Sequence, residues 1–581
     1  MNTSEATLVR VEVVADLPVL WASVQRMDVV KLCNQHMPAP LHWKGPLTPG
    51  HILAVWLLYI LSQSDHRLSY VEAWVAQHQG TLSALLGQPI FPKDLHDDRL
   101  ADLLSRLGTG DLFSLLERDL NRHLVRVYDL PDEVVRIDST TANTYQDVQS
   151  EGGLIQFGHS KDDPDLPQLK VACAVLDPLG MPLCTACLPG NTADDPTYVP
   201  AIQSVRQSLG PGNRLYVGDC KMAALPTRAF VAASKERYLC PLSESQLSRE
   251  ERRKLLEPVW SGAQALQEVR RPGKDEGDPD ELVAAGFWLD VPLQATVDGK
   301  QIEWTERRWL VRSSAYARSG EEALERKLRE AEEGLHELPV RKQGKKQRFY
   351  QELQQAGEAL VAEKGLQGLL CFTVRAVMTQ KKKRAYKDKP ERVETEVRFE
   401  VEVTRQEEAI QERKREMGWQ VYATNGLLLA LAAVVWAYRG QYRVEDGWSR
   451  LKGKSLCLTP LFLQDETRIQ GLVYLLSIAL RALTLVEWVV RENLRKEGAC
   501  VRGLYPGQPG RKTERPSTEL LLRVFAPISI SVVCVAGQNH VLLSPLSPLQ
   551  LHLLKLLDLP PDLYDSIPRH FPKSLLDTSE P

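Results

Sequence analysis

The chain has 581 residues, a length that allows three to five structural units at about 150 residues each. Apolar residues make up 43% and charged residues 25%, which excludes a disordered polymer, a collagen-like repeat and a small disulfide-stapled scaffold. The formal net charge of -3 neither requires nor forbids a nucleic-acid partner, because such binding depends on a local basic surface.

Residues 1–130 read as helical. His51–Ser62 and Leu95–Leu116 carry apolar side chains at helical spacing, punctuated by Pro and Gly. The first twenty residues lack a basic stretch followed by an apolar one, so no signal peptide is expected. From about residue 131 the texture changes. Val134–Ile137 is a short β-prone run ending on Asp138. Leu169–Leu176 and Leu183–Leu188 are strand candidates joined by Asp177-Pro178-Leu179-Gly180, which suits a type I turn. A helix is expected over Tyr198–Ser208, a strand over Arg214–Gly218 ending on Asp219, a helix over Ala223–Ser234 and a strand over Arg237–Cys240. That order predicts a mixed α/β sheet.

Residues 241–415 interrupt the pattern with strand-like pieces at Gly286–Pro292, Arg308–Arg312, Leu369–Ala376 and Val393–Val403, and a long charged helix from about Gly320. Arg341–Pro390 holds 13 Lys or Arg against 4 Asp or Glu, and both a solvated face and a phosphate-facing surface fit that excess. Trp288, Trp304 and Trp309 fit a core, or an aromatic platform for a base. Helical character returns from Gly426 to Leu451 and from Ile469 to Glu492. Leu427–Trp436 is too short to span a membrane, and Gly471–Val490 carries Arg481 and Glu487, so both read as buried core helices. Beyond residue 500 come a β-prone run at Ile528–Val535 and a Leu-rich helix near 549–557. The ten cysteines form no framework, and Cys184-x-x-Cys187 has no second pair at zinc spacing, so a reducing cytoplasm is expected.

Two aspartates, Asp138 and Asp219, thus lie at strand ends, where α/β sheets collect ligands. At about 100° per residue, Tyr438, Gln441, Glu445, Trp448 and Lys452 fall within roughly 80° of arc on one helix. A phenol, a carboxylate and an ammonium would then share a face.

These residues resemble the DDE transposases of prokaryotic insertion sequences, in the insertion-sequence-four group, whose third acidic residue lies in Y-x2-R-x3-E-x6-K. Tyr438, Glu445 and Lys452 match that spacing, with Gln441 at the Arg position. Gly158-His159-Ser160-Lys161-Asp162, continuing through Asp165-Leu166-Pro167-Gln168, resembles the family's G-x-S-K-D…D-L-x-Q segment. Gly190-Asn191-Thr192-Ala193-Asp194 resembles its G-N-x-x-D turn. Asp138-Ser139-Thr140 and Gly218-Asp219 with Met222 look like the first and second Asp motifs. Gly471 stands where relatives are expected to carry His.

The resemblance implies an RNase H-like α/β core interrupted by a mixed, largely β insertion domain and preceded by a helical domain. The domains would be 1–130 (helical, binding DNA ends), 131–240 (first part of the core), 241–415 (insertion), 416–500 (helical second part of the core) and 501–581, with no assigned role. Asp138, Asp219 and Glu445 would be the catalytic residues and would ligate two Mg²⁺ ions, with Mn²⁺ able to substitute. Tyr438, Gln441, Lys452 and Lys161 would contact DNA. The implied activity is metal-dependent cleavage at transposon ends and transfer of the freed 3′-OH into target DNA, by a homodimer on double-stranded DNA in the cytoplasm, at the nucleoid. A nuclease without strand transfer and a non-catalytic DNA-binding relic are the alternatives.

Overall fold

Val134–Asn143 (β1) is the strand around which the main sheet is built. It pairs antiparallel with Gln168–Leu176 (β2), which pairs antiparallel with Met181–Pro189 (β3). On its other side β1 runs parallel to Leu215–Val217 (β4), and β4 runs parallel to Arg237–Pro241 (β5). The resulting order is β3-β2-β1-β4-β5. All nine residues of β2 are buried, as its nearly unbroken apolar sequence dictates for a strand covered on both faces. Parallel neighbours need crossovers, and Tyr198–Leu209 (α1) and Leu225–Ala233 (α2) supply them before and after β4.

The expected hairpin is present, but its turn is not type I. The Gly180 amide donates to the Leu176 carbonyl at 2.8 Å, closing five residues, with a cis Asp177–Pro178 bond and Gly180 at φ +76°. Nor does β1 end on Asp138. It continues to Asn143, because β2 supplies hydrogen-bond partners over that whole length.

The computed structural model describes residues 7–148, 150–160, 162–272, 280–340, 349–383 and 392–576. It is a mixed α/β protein of two units. One comprises Met1–Cys240, Leu293–Trp304 and Trp436–Pro581, and the other Pro241–Pro292 and Thr305–Val435.

In the first unit the long helix Glu466–Glu497 runs through the core. It is long and apolar enough to cross a membrane, but 89% of its most apolar window is buried inside the protein. Its Arg481 is fully buried and pairs with Glu117 at 2.5 Å, as a charge removed from water must. The helical spacing over Leu95–Leu116, punctuated by Gly, belongs to two helices, Asp97–Leu107 and Leu112–Val127. The break falls at Gly108, where a Cβ would lie 2.0 Å from the Thr467 carbonyl oxygen, and at Gly110, which holds φ +59°. Gly471 makes the reciprocal contact, because a Cβ there would lie 2.0 Å from the Leu104 carbonyl oxygen. The helix crossing therefore has no room for the His expected at position 471.

The N-terminal region is not wholly helical. Thr7–Val13 is a strand paired with Ser529–Val535, which in turn pairs with Gln538–Leu543. The Tyr564 hydroxyl donates to the Ala15 carbonyl at 2.7 Å, and the Phe571 ring fills the space that a side chain at Gly80 would need. The described part of the C-terminal region, residues 501–576, thus packs against the N-terminal segment.

The second unit mixes strands with helices, as the sequence of residues 241–415 leads one to expect. It contains helices Arg249–Trp260, Ser314–Glu337, Tyr350–Glu363 and Glu407–Arg415. Four strands run in the order Trp419–Thr424, Lys300–Ser313, Glu281–Val297 and Gln267–Arg271. Leu324, Leu328, Leu335, Leu353, Val374 and Val401 form a core between two of the helices and the hairpin Leu370–Lys383/Arg392–Arg405. Of the basic run, residues 341–348 and 384–390 lie outside the described residues. Within the hairpin, Arg375 pairs with Glu402 at 2.6 Å.

Candidate metal centre

The last parallel pair between β1 and β4 is Arg136 opposite Val217. Two residues further along each chain stand Asp138 and Asp219, side by side at the carboxyl end of the parallel pair. In such sheets that end collects ligands. Both are half-buried. The Asp219 Oδ1 accepts from the Tyr198 hydroxyl at 2.6 Å and from the Lys221 amide at 2.8 Å. Burial pushes the Tyr198 phenol far above its ordinary value, and the negative charges of Asp219 and Asp138 push it further, so this hydroxyl stays protonated and donating. Gly218 precedes Asp219 because a Cβ there would lie 2.7 Å from Met222 Sδ and 2.8 Å from the Tyr198 ring.

The third carboxylate comes from the helix Tyr442–Lys452 (α3). Its Trp448 is buried and donates Nε1–H to Asp138 Oδ2 at 3.1 Å. Glu445 is exposed and lies one helical turn earlier, on the same face. The Tyr438 phenol is pushed up to about 12, first by burial and then by Asp219, Cys220, Cys240 and Glu445. Tyr438 therefore sits in the field of both Asp219 and Glu445.

The continuous helix expected through Tyr438 and Lys452 is broken. Tyr438 lies in Leu431–Arg439, and Gln441 is the N-cap of α3. The break falls at Gly440, where a Cβ would lie 2.2 Å from the Arg136 guanidinium. Tyr438 and Glu445 thus lie in different helices, while Gln441 stays one turn before Glu445 with helical φ and ψ, its Oε1 buried without a hydrogen-bond partner. The apolar lead-in is also only partly an anchor. Leu431, Val434 and Val435 are buried, whereas Leu427, Leu428 and Trp436 are exposed.

Lys452, at the far end of α3, pairs with Asp162 at 2.9 Å and donates to the Thr141 carbonyl at 3.4 Å. Lys161, also expected to contact DNA, lies outside the described residues. The other motif residues meet one another. The Ser139 hydroxyl and the Lys170 ammonium both donate to Asp194 Oδ1 at 2.7 Å. Burial opposes the charge on Asp194, but these two donors outweigh it and hold the carboxyl below its usual range. The Gln168 amide donates to the Gly190 carbonyl at 2.9 Å, and neither Gly158 nor Gly190 has room for a Cβ.

A buried ion network joins the two elements that carry Asp138 and Glu445. Arg136, two residues before Asp138, donates twice to Asp177 at 3.2 Å. Arg443, two residues before Glu445, donates to the same carboxylate at 2.5 Å. Neither Tyr198 nor this network is visible in the sequence. Trp448 alone left a signal, by sharing the stripe with Glu445.

Three carboxylates offer hard oxygen ligands, the donor set that Mg²⁺ takes, and their partial exposure leaves room for water and phosphate. Among the described residues, one group of three His, Cys, Asp or Glu side chains brings its ligand atoms within 4.8 Å of one another, namely His96, Asp97 and Asp98. Asp138, Asp219 and Glu445 do not form such a group at that spacing. Cys184 and Cys187 have no second cysteine pair beside them at zinc spacing in the sequence. Burial pushes both thiols well above their ordinary values. Of the three tryptophans, Trp309 is buried, Trp304 donates to the Tyr238 hydroxyl at 2.9 Å, and Trp288 is covered by Arg307 at 3.7 Å.

Fold and site together define a mixed α/β protein with acidic side chains gathered at the carboxyl end of a parallel strand pair. Comparison with protein-family models gives no match, and comparison with curated proteins gives none either.

Proposed function

We propose that the chain is a DDE-type DNA transposase, cleaving at transposon ends and joining the 3′-OH to target DNA. One observation carries this reading: Asp138 and Asp219 stand side by side beyond parallel strands, and α3 docks on Asp138 through Trp448 with Glu445 one turn away. Three antiparallel strands followed by two parallel ones on the far side of β1 is the layout expected of an RNase H-like core, which supports the same reading.

Asp138, Asp219 and Glu445 would hold a pair of divalent ions. Once bound, those ions would activate a water or a 3′-OH and stabilise the departing 3′ oxygen. The protein's part is positioning. Tyr198 holds Asp219 and Trp448 holds Asp138, each through one carboxylate oxygen. Lys452 would exchange Asp162 for a DNA phosphate, a contact that orients the strand. The N-terminal helices would bind the transposon ends, and two copies would bring two ends together.

The test uses duplex DNA carrying the sequences that flank the chain's own coding region. Asp138→Ala, Asp219→Ala and Glu445→Ala should each abolish Mg²⁺-dependent end cleavage while sparing end binding. Cleavage that survives in any one of them would overturn the assignment. Pre-cut ends bearing a free 3′-OH should give joined products, and a nuclease without strand transfer would give none.

A further inference from the structure

The flank of α3 away from Glu445 and Trp448 faces a second concavity. A cavity of about 440 Å³ and another of about 250 Å³ share Pro178, Leu179, Arg443, Glu487, Arg491 and Arg515 in their walls. Tyr442 and Arg450 line the smaller one, and Trp488 the larger.

Most of the acids near these guanidiniums are already engaged. Asp177 is shared between Arg136 and Arg443. Glu487 pairs with Arg450 and with Arg491 at 2.9 Å, and accepts from the Thr518 amide at 3.0 Å. Glu492 is taken by Arg495 at 2.6 Å. Asp446 and Glu514, the remaining acids of the walls, are exposed at the rim.

Two groups register the resulting positive potential. Burial raises the Tyr442 phenol, yet the Arg515 contact and the charges of Arg443 and Arg515 bring it below its ordinary value. The Arg491 guanidinium is also brought down, by burial first and, against the pull of Glu487, by the like charges of Arg515 and Arg450.

We propose that this pocket binds a phosphate group, held by Arg443, Arg491 and Arg515 with the Tyr442 hydroxyl. Planar guanidinium forks match phosphate oxygens in pairs and are weakly hydrated, which suits them to such a site. Trp488 and the Pro178–Leu179 turn form an apolar wall for the body of the ligand, and the larger cavity lies in the size range of small-molecule sites. The phosphate belongs either to a free nucleotide or to a DNA strand.

The test is run without magnesium, so its outcome is independent of the metal-centre reading. The full chain is titrated with inorganic phosphate, with dAMP and with a short duplex of unrelated sequence. Arg515 is exposed, so Arg515→Met should melt as the wild type does. Saturable binding of phosphate or dAMP that Arg515→Met and Arg491→Met each weaken at least about tenfold supports a nucleotide site. Duplex binding that the same variants weaken, and that dAMP displaces, supports a strand contact. If no probe binds, or if both variants bind every probe as the wild type does, the proposal is wrong.

Discussion

Replacing Asp177 with Asn removes the one carboxylate that joins the β1 arginine to the α3 arginine. Arg136 is fully buried and already has one guanidinium nitrogen without a partner, so it has no water to turn to. Leaving a buried charge uncompensated costs about 3–5 kcal/mol. The first unit holds about 400 residues and loses about 2.1 cal/mol/K per residue in order on melting, so its transition should fall by about 4–6 °C. Asn keeps the shape of Asp, which confines the change to charge. The partner variant, Arg136→Met, removes the buried cation, and the double variant should recover much of the loss, because an absent pair is cheaper than half a pair. Thermal melts of the four proteins give the coupling directly. An Asp177→Asn melt within about 1 °C of wild type, or strictly additive losses in the double variant, would refute the reasoning.

Asp16 is buried at the start of the first helix, where burial lifts its carboxyl to about 6 against the opposing hydrogen bond from Ser62. Its contribution is fully present below the unfolded value near 4 and is lost as pH rises through 6. Asp16→Asn should therefore stabilise by up to about 3 kcal/mol at pH 7.5 and by nothing at pH 4, and an equal gain at both would contradict the assignment. Gly471→Ala drives a Cβ into the Leu104 carbonyl and should destabilise by about 1–3 kcal/mol, whereas Gly447→Ala, whose nearest neighbour would be 3.8 Å away, should not lower the melting temperature. Lys452→Met should lower the salt dependence of DNA binding by about one counterion, read from the slope of log affinity against log salt; an unchanged slope would leave Lys452 to Asp162 alone.

The elements legible in the sequence were those with a local signature of turns or periodicity. The β2–β3 hairpin, the crossover helices and the short parallel strands announce themselves through turns and periodicity. Thr7–Val13 does not, because its partner lies more than 500 residues away and its exposed face carries no distinctive pattern. The break at Gly440 was hidden for a related reason, since a helical wheel takes no account of Arg136 pressing in from another strand. At the site, the spacing of Tyr438, Glu445 and Lys452 pointed to the segment whose Trp448 meets Asp138, but it could not show the interruption that puts Tyr438 in one helix and Gln441 at the start of the next. Tyr198 and Asp177 are ordinary residues in sequence, and only the fold places the one on Asp219 and the other between Arg136 and Arg443.

Metal binding itself offers the most direct check, because it needs no knowledge of the DNA ends. Mn²⁺ titrated into the full chain, with free ion followed by electron paramagnetic resonance, should fill a site that Asp138→Asn, Asp219→Asn and Glu445→Gln each weaken at least about tenfold. A Mn²⁺ isotherm that any one of these three substitutions leaves unchanged would mean that the carboxylates do not act as one centre.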